Sequence, residues 1–315
     1  MLYLDAEQTI NALPFGELLP ALREGFVRGA HSPARHHHTV DPDADATLLL
    51  MPAWSQGEFV GVKLVNVFPA NAALGKPALS SAYVLASAVT GEHLAVIDGN
   101  ELTRRRTIGT SVLAASYLAR PESATLLVVG VGHVGSLAVE AYRSAFDLRT
   151  VLVHARTTAN ARRMVDTLRD QGLEAHVVTD LASASAQADI ITCATLATEP
   201  VIQGEWLSPG THLDLIGSFR PTMREADDAC LRRGTLFIDT PQALKEAGEL
   251  AQPIEAGLLS PDGIAATLPE LCAGAHPGRS AQEEITVFKT VGSAAADLTA
   301  ASLVYRSHRA PGGTS

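Results

Sequence analysis

Apolar residues fall along this chain in two rhythms. In its middle, short continuous runs of aliphatic and β-branched residues recur at Thr125–Val129, Thr150–Val153, Ala175–Val178, Ile190–Ala194, His212–Ile216 and Thr235–Ile238. Segments of helical length lie between most of them, such as Ser136–Phe146 and Ala159–Gln171. Continuous apolar runs alternating with helices mark strands buried on both faces of a parallel sheet, so these six predict a doubly wound α/β unit of Rossmann type. The N-terminal part reads differently. An amphipathic helix is expected over Asp5–Gly29, then short runs at Ala46–Met51, Phe59–Val67, Ala82–Ser87 and His93–Asp98, separated by turn residues such as Ser55-Gln56-Gly57 and Gly91. That pattern predicts antiparallel sheet and hence a second, α+β domain. Helical stretches at Arg105–Leu118 and Ile285–Val304 flank the parallel region. Both chain ends are therefore expected to build the second domain, residues 1–120 with 286–315, around a Rossmann domain at 121–285. The tail RSHRAPGGTS is expected to be disordered.

Composition narrows the function classes. A length of 315 residues suits two domains. With 46% hydrophobic and 18% charged residues, the chain can fill a core and is not of the disordered class. A net charge of −10 argues against non-specific nucleic-acid binding, which needs a basic footprint, but leaves room for a local cationic pocket. Cys193, Cys230 and Cys272 are far apart with no CxxC pair, which argues against a disulfide framework or structural zinc. The N-terminus lacks the basic and apolar regions of a signal peptide, and no apolar run reaches membrane-spanning length. A cytoplasmic protein with no membrane partner is expected.

Gly130-Val131-Gly132-His133-Val134-Gly135 directly follows a strand-like run and opens a helix-like one. In that context a GxGxxG supplies a tight turn, close approach of a pyrophosphate to the backbone, and close helix–strand packing. A dinucleotide cofactor is therefore expected. NAD sites place Asp or Glu at the end of the second strand to hold the ribose. Here that strand ends in Ala155-Arg156-Thr157, with a guanidinium and hydroxyls in place of a carboxylate. The chemistry favours NADP(H), with NAD(H) as the alternative.

Cations concentrate elsewhere. Arg104-Arg105-Arg106 cannot all face one site at helical spacing, so one or two are expected in solvent. Lys63 interrupts an otherwise apolar strand, Gly61–Val67, and must either snorkel at an edge or be buried with an anion. Arg35 precedes His36-His37-His38. Adjacent histidines in an extended segment alternate faces and converge poorly on one ion, so the triplet is read as loop with no metal.

Several segments, in order, are similar to the ornithine cyclodeaminase/mu-crystallin family. They are Lys63 with Asn71, IDGNELTRRRTIGT, GVGHVG, ADIITCAT, PGTHLDLIGSFRPTMREAD and EITVFKTVGSAAADL, and with Arg35 they cover the chain from about Arg35 to Leu298. The resemblance implies a homodimer paired through the non-Rossmann domains, with the active site in the cleft between the two domains. It implies that Arg35, Lys63 and Arg106 receive a substrate carboxylate, Lys63 and Arg106 being the catalytic candidates. Dinucleotide contacts are implied at Thr107, at the turn Gly130, Gly132, His133, Val134 and Gly135, at Ala155, Arg156 and Thr157, and at Thr195 and Thr290. Phe219 and Val291 are expected beside the substrate. Ornithine cyclodeaminases carry a proton-shuttling aspartate where this chain has Phe219, a lysine where it has Met223, and an NAD-selecting aspartate where it has Ala155. The HARTT segment and the pattern over Arg220–Asp228 look closer to mu-crystallin-type ketimine reductases, which use NADPH.

Cyclodeamination needs an acid/base that acts at several steps, and Phe219 removes the obvious candidate. Reduction of a preformed cyclic imine needs less: an anchored carboxylate, a proton at nitrogen, and the C=N carbon facing the nicotinamide. The expected function is NAD(P)H-dependent reduction of Δ1-pyrroline-2-carboxylate or Δ1-piperideine-2-carboxylate. The alternatives are ornithine cyclodeaminase, an amino-acid dehydrogenase, and a non-catalytic NADP-linked binder of a small carboxylate.

Overall fold

In the computed structural model, which describes residues 1–309 except the Ala72 side chain, the chain divides at Arg106/Thr107 and again at Gly292/Ser293. The first unit comprises residues 1–106 and the segment from Ser293 onward; the second is Thr107–Gly292. The expected boundaries stood at 120/121 and 285/286, in the same order along the chain. The first cut falls inside the continuous helix Gly99–Leu118, ahead of the loop over residues 119–124, and Thr286–Lys289 is a strand of the parallel sheet rather than the start of a helix.

The first unit carries a six-stranded sheet. In chain order its strands are β1 (Leu2–Leu4), β2 (His36–Asp41), β3 (Ala46–Trp54), β4 (Phe59–Val67), β5 (Leu79–Ser87) and β6 (His93–Asp98). The spatial order is β1-β6-β5-β4-β3-β2, antiparallel throughout except for β1 on β6. The expected helix over Asp5–Gly29 is two helices, Ala6–Asn11 and Phe15–Arg28. Pro14 explains the break, because it lacks an N–H and disfavours helical backbone in the residue before it. The histidine triplet is not loop but part of β2, an edge strand exposed along its whole length. One face of the sheet is buried, with Met51, Ala53, Val65, Tyr83, Leu85, Ala95 and Ile97. The helix Ala294–Arg309 lies against β3, β4 and β5, and packs in turn on Phe15–Arg28. Arg306–Arg309, expected to be disordered, belong to that helix; the remainder of the expected tail lies outside the described residues.

The second unit holds eight strands, all paired in parallel: β7 (Thr125–Val129), β8 (Thr150–His154), β9 (Glu174–Val177), β10 (Ile190–Cys193), β11 (His212–Leu215), β12 (Thr235–Ile238), β13 (Ile264–Thr267) and β14 (Thr286–Lys289). Their order, β13-β12-β14-β11-β10-β7-β8-β9, reverses direction at β7. In an open α/β sheet that reversal leaves a crevice at the carboxyl ends of the strands, where ligands bind. β7 and β10 to β12 are buried at nearly every position, which is why they read as continuous apolar runs. No helix among the described residues is long and apolar enough to cross a membrane.

Candidate active site

In the first unit three elements bring three charged side chains together. Lys63 sits on β4 on the buried face of the sheet, directly opposite Met51 and Tyr83. Its Nζ lies 3.1 Å from Asp297 Oδ1 and 2.9 Å from Oδ2. Arg106, on the helix Gly99–Leu118, donates from Nε to the same Oδ1 at 2.6 Å. Asp297 is wholly buried on the helix Ala294–Arg309. Lys63 is thus buried with an anion, and that anion is a side chain of the protein. Burial lowers the ammonium to about 8, with Arg106 and Arg35 adding to the fall and Asp297 opposing it. Burial alone would raise the Asp297 carboxyl, but Arg106 and Lys63 hold it below the ordinary carboxylate range. Arg35, half-buried just before β2, is close enough to act on Lys63 electrostatically. Two cations on one carboxylate, with a third nearby, leave a positive surplus suited to a small anion.

The other arginines of the run do not share this site. Arg105 is buried, donates from Nε to the Leu13 carbonyl at 2.8 Å, and lies 4.6 Å from the centre of the Phe15 ring. Arg104 pairs with Glu101 one turn back. The expectation that one or two of the three stand in solvent is therefore corrected: Arg105 and Arg106 are both buried, each with its own partner.

In the second unit the candidate cofactor residues line one edge of the sheet. The glycine turn follows β7, Ala155-Arg156-Thr157 follows β8, Thr195 follows β10, Phe219 follows β11, and Thr290-Val291 follows β14; these five strands are consecutive in the sheet. Thr107 is nearly buried in the helix Gly99–Leu118. Within the turn the glycines differ in what they meet. Gly130 has φ +95° and would bring a Cβ to 2.6 Å from the Ala194 carbonyl oxygen, and a Cβ on Gly135 would collide with the Gly130 carbonyl. A Cβ on Gly132 would meet nothing within 4 Å. The first and third glycines thus answer to packing, while Gly132 keeps the outer side of the turn open to a close ligand. His133 is exposed and Val134 half-buried beside it. Arg156 and Thr157 are exposed, and the Thr157 hydroxyl does not cap the helix that Thr157 begins. An open glycine turn, with a free-standing guanidinium and hydroxyl after the neighbouring strand, fits a phosphorylated dinucleotide.

Buried carboxylates that sequence reasoning did not assign hold this edge in shape. Glu225 accepts from Thr195 N at 2.7 Å, Thr195 Oγ1 at 2.8 Å and Gly217 N at 2.7 Å, tying the loops after β10 and β11 together. Burial pushes its pKa up to about 7. Asp239, at the end of β12, accepts from Thr290 Oγ1, Val291 N and Gly292 N. The Thr290 side chain is therefore turned into the fold, and its backbone N–H donates to the Leu215 carbonyl at 3.1 Å. Phe219 is 43% exposed, which leaves its ring available at the loop surface. Asp297 was legible only as an acidic residue within a run of small apolar ones, Ala294–Leu298.

Comparison with known proteins shows the family and the fold of the chain. The profile of the Ornithine cyclodeaminase/mu-crystallin family matches residues 3–311. An uncharacterised protein of Schizosaccharomyces pombe is 43% identical over 97% of each chain. A Δ1-pyrroline-2-carboxylate reductase of Paracoccus denitrificans is 40% identical over 82% of this chain and 83% of its own. Among solved structures, the Δ1-pyrroline-2-carboxylate reductase of Thermococcus litoralis, in complex with NADH and L-proline, superposes with a TM-score of 0.93 at 29% identity, covering 98% of each chain.

Proposed function

Since the chain belongs to the ornithine cyclodeaminase/mu-crystallin family, we propose that it is an NAD(P)H-dependent reductase of cyclic imino acids, converting Δ1-pyrroline-2-carboxylate to proline or Δ1-piperideine-2-carboxylate to pipecolate. The observation that carries this reading is the buried cationic cluster of Lys63 and Arg106 on Asp297, combined with Phe219 in place of an acidic proton shuttle. Relatives named for the same reaction support it.

Arg106 and Arg35 clamp the substrate carboxylate through charge-assisted hydrogen bonds, which fixes the ring in one orientation. Lys63, with an ammonium that burial brings to about 8, holds a proton at neutral pH and can release it to the imine nitrogen. The bound reduced nicotinamide supplies the hydride. Thr107, Thr195, the glycine turn at Gly130–Gly135, and the Thr290-Val291 segment hold the dinucleotide. Ala155, Arg156 and Thr157 favour NADP(H), because no carboxylate repels a 2′-phosphate and Arg156 can pair with it. The Thermococcus protein was solved with NADH, so this preference belongs to the present chain's own segment. Three buried cysteines, far apart in sequence, suit a reducing cytoplasm.

A homodimer accounts for the second face of the antiparallel sheet. Pro52, Val62, Val84 and Val96 are register partners across four strands, with Leu50 and Leu64 beside them, and all are only half-buried. An apolar stripe of this kind suits a second copy of the sheet.

The test is NADPH oxidation followed with each cyclic imine. Turnover of either supports the reading; a well-folded protein that consumes no NADPH or NADH with both overturns it.

A further inference from the structure

We propose that Asp297 is a positioning residue for the reduction: by accepting from Lys63 Nζ and Arg106 Nε at once, it fixes both cations on one carboxylate and keeps Lys63 charged with the proton that the imine nitrogen takes. The proposal rests on the reading of Lys63 and Arg106 as the groups that meet the substrate, and it adds a third residue that touches neither substrate nor cofactor.

The geometry carries the argument. Asp297 has no accessible surface, and its two oxygens lie 3.1 and 2.9 Å from Lys63 Nζ while Oδ1 also receives Arg106 Nε at 2.6 Å. Lys63 comes from the sheet, Arg106 from the helix Gly99–Leu118 and Asp297 from the helix Ala294–Arg309. One carboxylate therefore decides where two cations from different elements stand. A triad of this composition is a poor stability device, since stripping water from three charges offsets much of their mutual attraction. What it does supply is geometry and a charge balance. With Asp297 ionised the pair of cations keeps one net positive charge, and Arg35 adds another nearby. Without Asp297, Lys63 and Arg106 would repel each other and Lys63 would shed its proton.

A further titratable neighbour on this face is Tyr83, directly opposite Lys63 on β5. It is buried, and burial together with the Asp297 charge holds its phenol protonated well above the ordinary range, so it does not compete as a proton donor. Lys63 is left as the group that exchanges a proton. In the reduction the imine carbon gains hydride from the reduced nicotinamide, the C=N π pair moves to nitrogen, and nitrogen takes one proton. Lys63 gives that proton, becomes a neutral amine, and recovers it from water.

Protonation of Lys63 can be read without turnover. The chain has four lysines, Lys63, Lys76, Lys245 and Lys289, so a 13Cε-lysine NMR titration resolves into four signals, with the Lys63 signal assigned from Lys63→Arg. The wild-type midpoint is expected near 8. Asp297→Asn should lower it by about one pH unit or more, and Arg106→Gln should raise it, because the carboxylate then serves Lys63 alone. The basic limb of the pH profile of kcat/KM for Δ1-pyrroline-2-carboxylate should move down with Asp297→Asn and return with Asp297→Glu. An unmoved Lys63 midpoint in Asp297→Asn would overturn the proposal, as would a rate loss equal at every pH with the limb in place. Should Asp297→Asn fail to fold, Arg106→Gln decides alone: no rise in the midpoint rejects the shared carboxylate. If the wild-type enzyme reduces no imine, the functional reading falls, and the titration still decides the role of Asp297.

Discussion

Arg104, Arg105 and Arg106 are adjacent in sequence, yet a helix turns each toward a different partner. Arg106→Ala should lower kcat/KM for the imine by about 10²-fold, the size expected from losing a charge-assisted clamp, with little change in NADPH affinity. Arg105→Ala removes a buried hydrogen bond and a ring contact. It should lower stability by about 1–3 kcal/mol while leaving the Michaelis constant near wild type. Arg104→Ala, which loses a pair one turn away, should change both within error. Steady-state kinetics and thermal melts of the three variants separate these outcomes; equal kinetic losses would point instead to a diffuse basic patch. At this scale the site was half legible. Lys63 stands out because its strand neighbours are apolar, and such a lysine needs an anion. Its partner lies 234 residues away in the chain, and no local pattern joins the two. Glu225 and Asp239 were illegible for a similar reason: their partners are backbone N–H groups of loops distant in sequence, which leave no side-chain signature.

Among elements, the parallel strands were the most legible, because strands buried on both faces are written as unbroken apolar runs. β2 was not, since a fully exposed edge strand carries no hydrophobic pattern. β14 reads as helix in the sequence because its four residues, Thr286–Lys289, are buried on both faces and run into Thr290-Val291-Gly292, ahead of the helix that follows. The turn after β8 leads to a sharp expectation. Ala155→Asp should shift preference from NADP(H) toward NAD(H), read as the ratio of kcat/KM values for the two cofactors; tighter use of NADH by the unmodified enzyme would contradict it. β11 carries a pH device. His212 is buried with Nδ1 2.9 Å from Thr286 Oγ1, and burial lowers its pKa to about 3. The folded protein keeps it neutral, whereas the unfolded chain protonates it below about pH 6.5. The stability it contributes is therefore present above that pH and lost as pH falls toward 3, by about 1.4 kcal/mol per pH unit. Asp214 and Glu225, raised by burial to about 6 and about 7, act in the opposite sense. Their contribution is common to the wild type and to His212→Asn and cancels in the difference. Urea unfolding at pH 7 and pH 5 should show the wild-type advantage over His212→Asn shrinking as pH falls; a constant gap would contradict the assignment.

On the scale of the whole molecule, the alternation of strand and helix and the return of the C-terminal helix to the first unit were both visible in the sequence. The division at Arg106/Thr107 leaves no local signal, because it falls inside a continuous helix. The half-buried face of the antiparallel sheet leads to a prediction about assembly. Val62→Arg, placed at the centre of the stripe formed with Pro52 and Val84, should convert a dimer into a monomer in sedimentation, with the thermal transition of the second unit little changed. The chemistry is tested most directly by one comparison on a single preparation: the rate of NADPH-dependent proline formation from Δ1-pyrroline-2-carboxylate against the rate of proline and ammonia release from L-ornithine. With Phe219 where a proton shuttle would stand, and an acid/base group worth about 10²–10⁴-fold in rate, the imine should be reduced at least about a hundredfold faster. Equal rates, or faster release of ammonia from ornithine, would contradict the account.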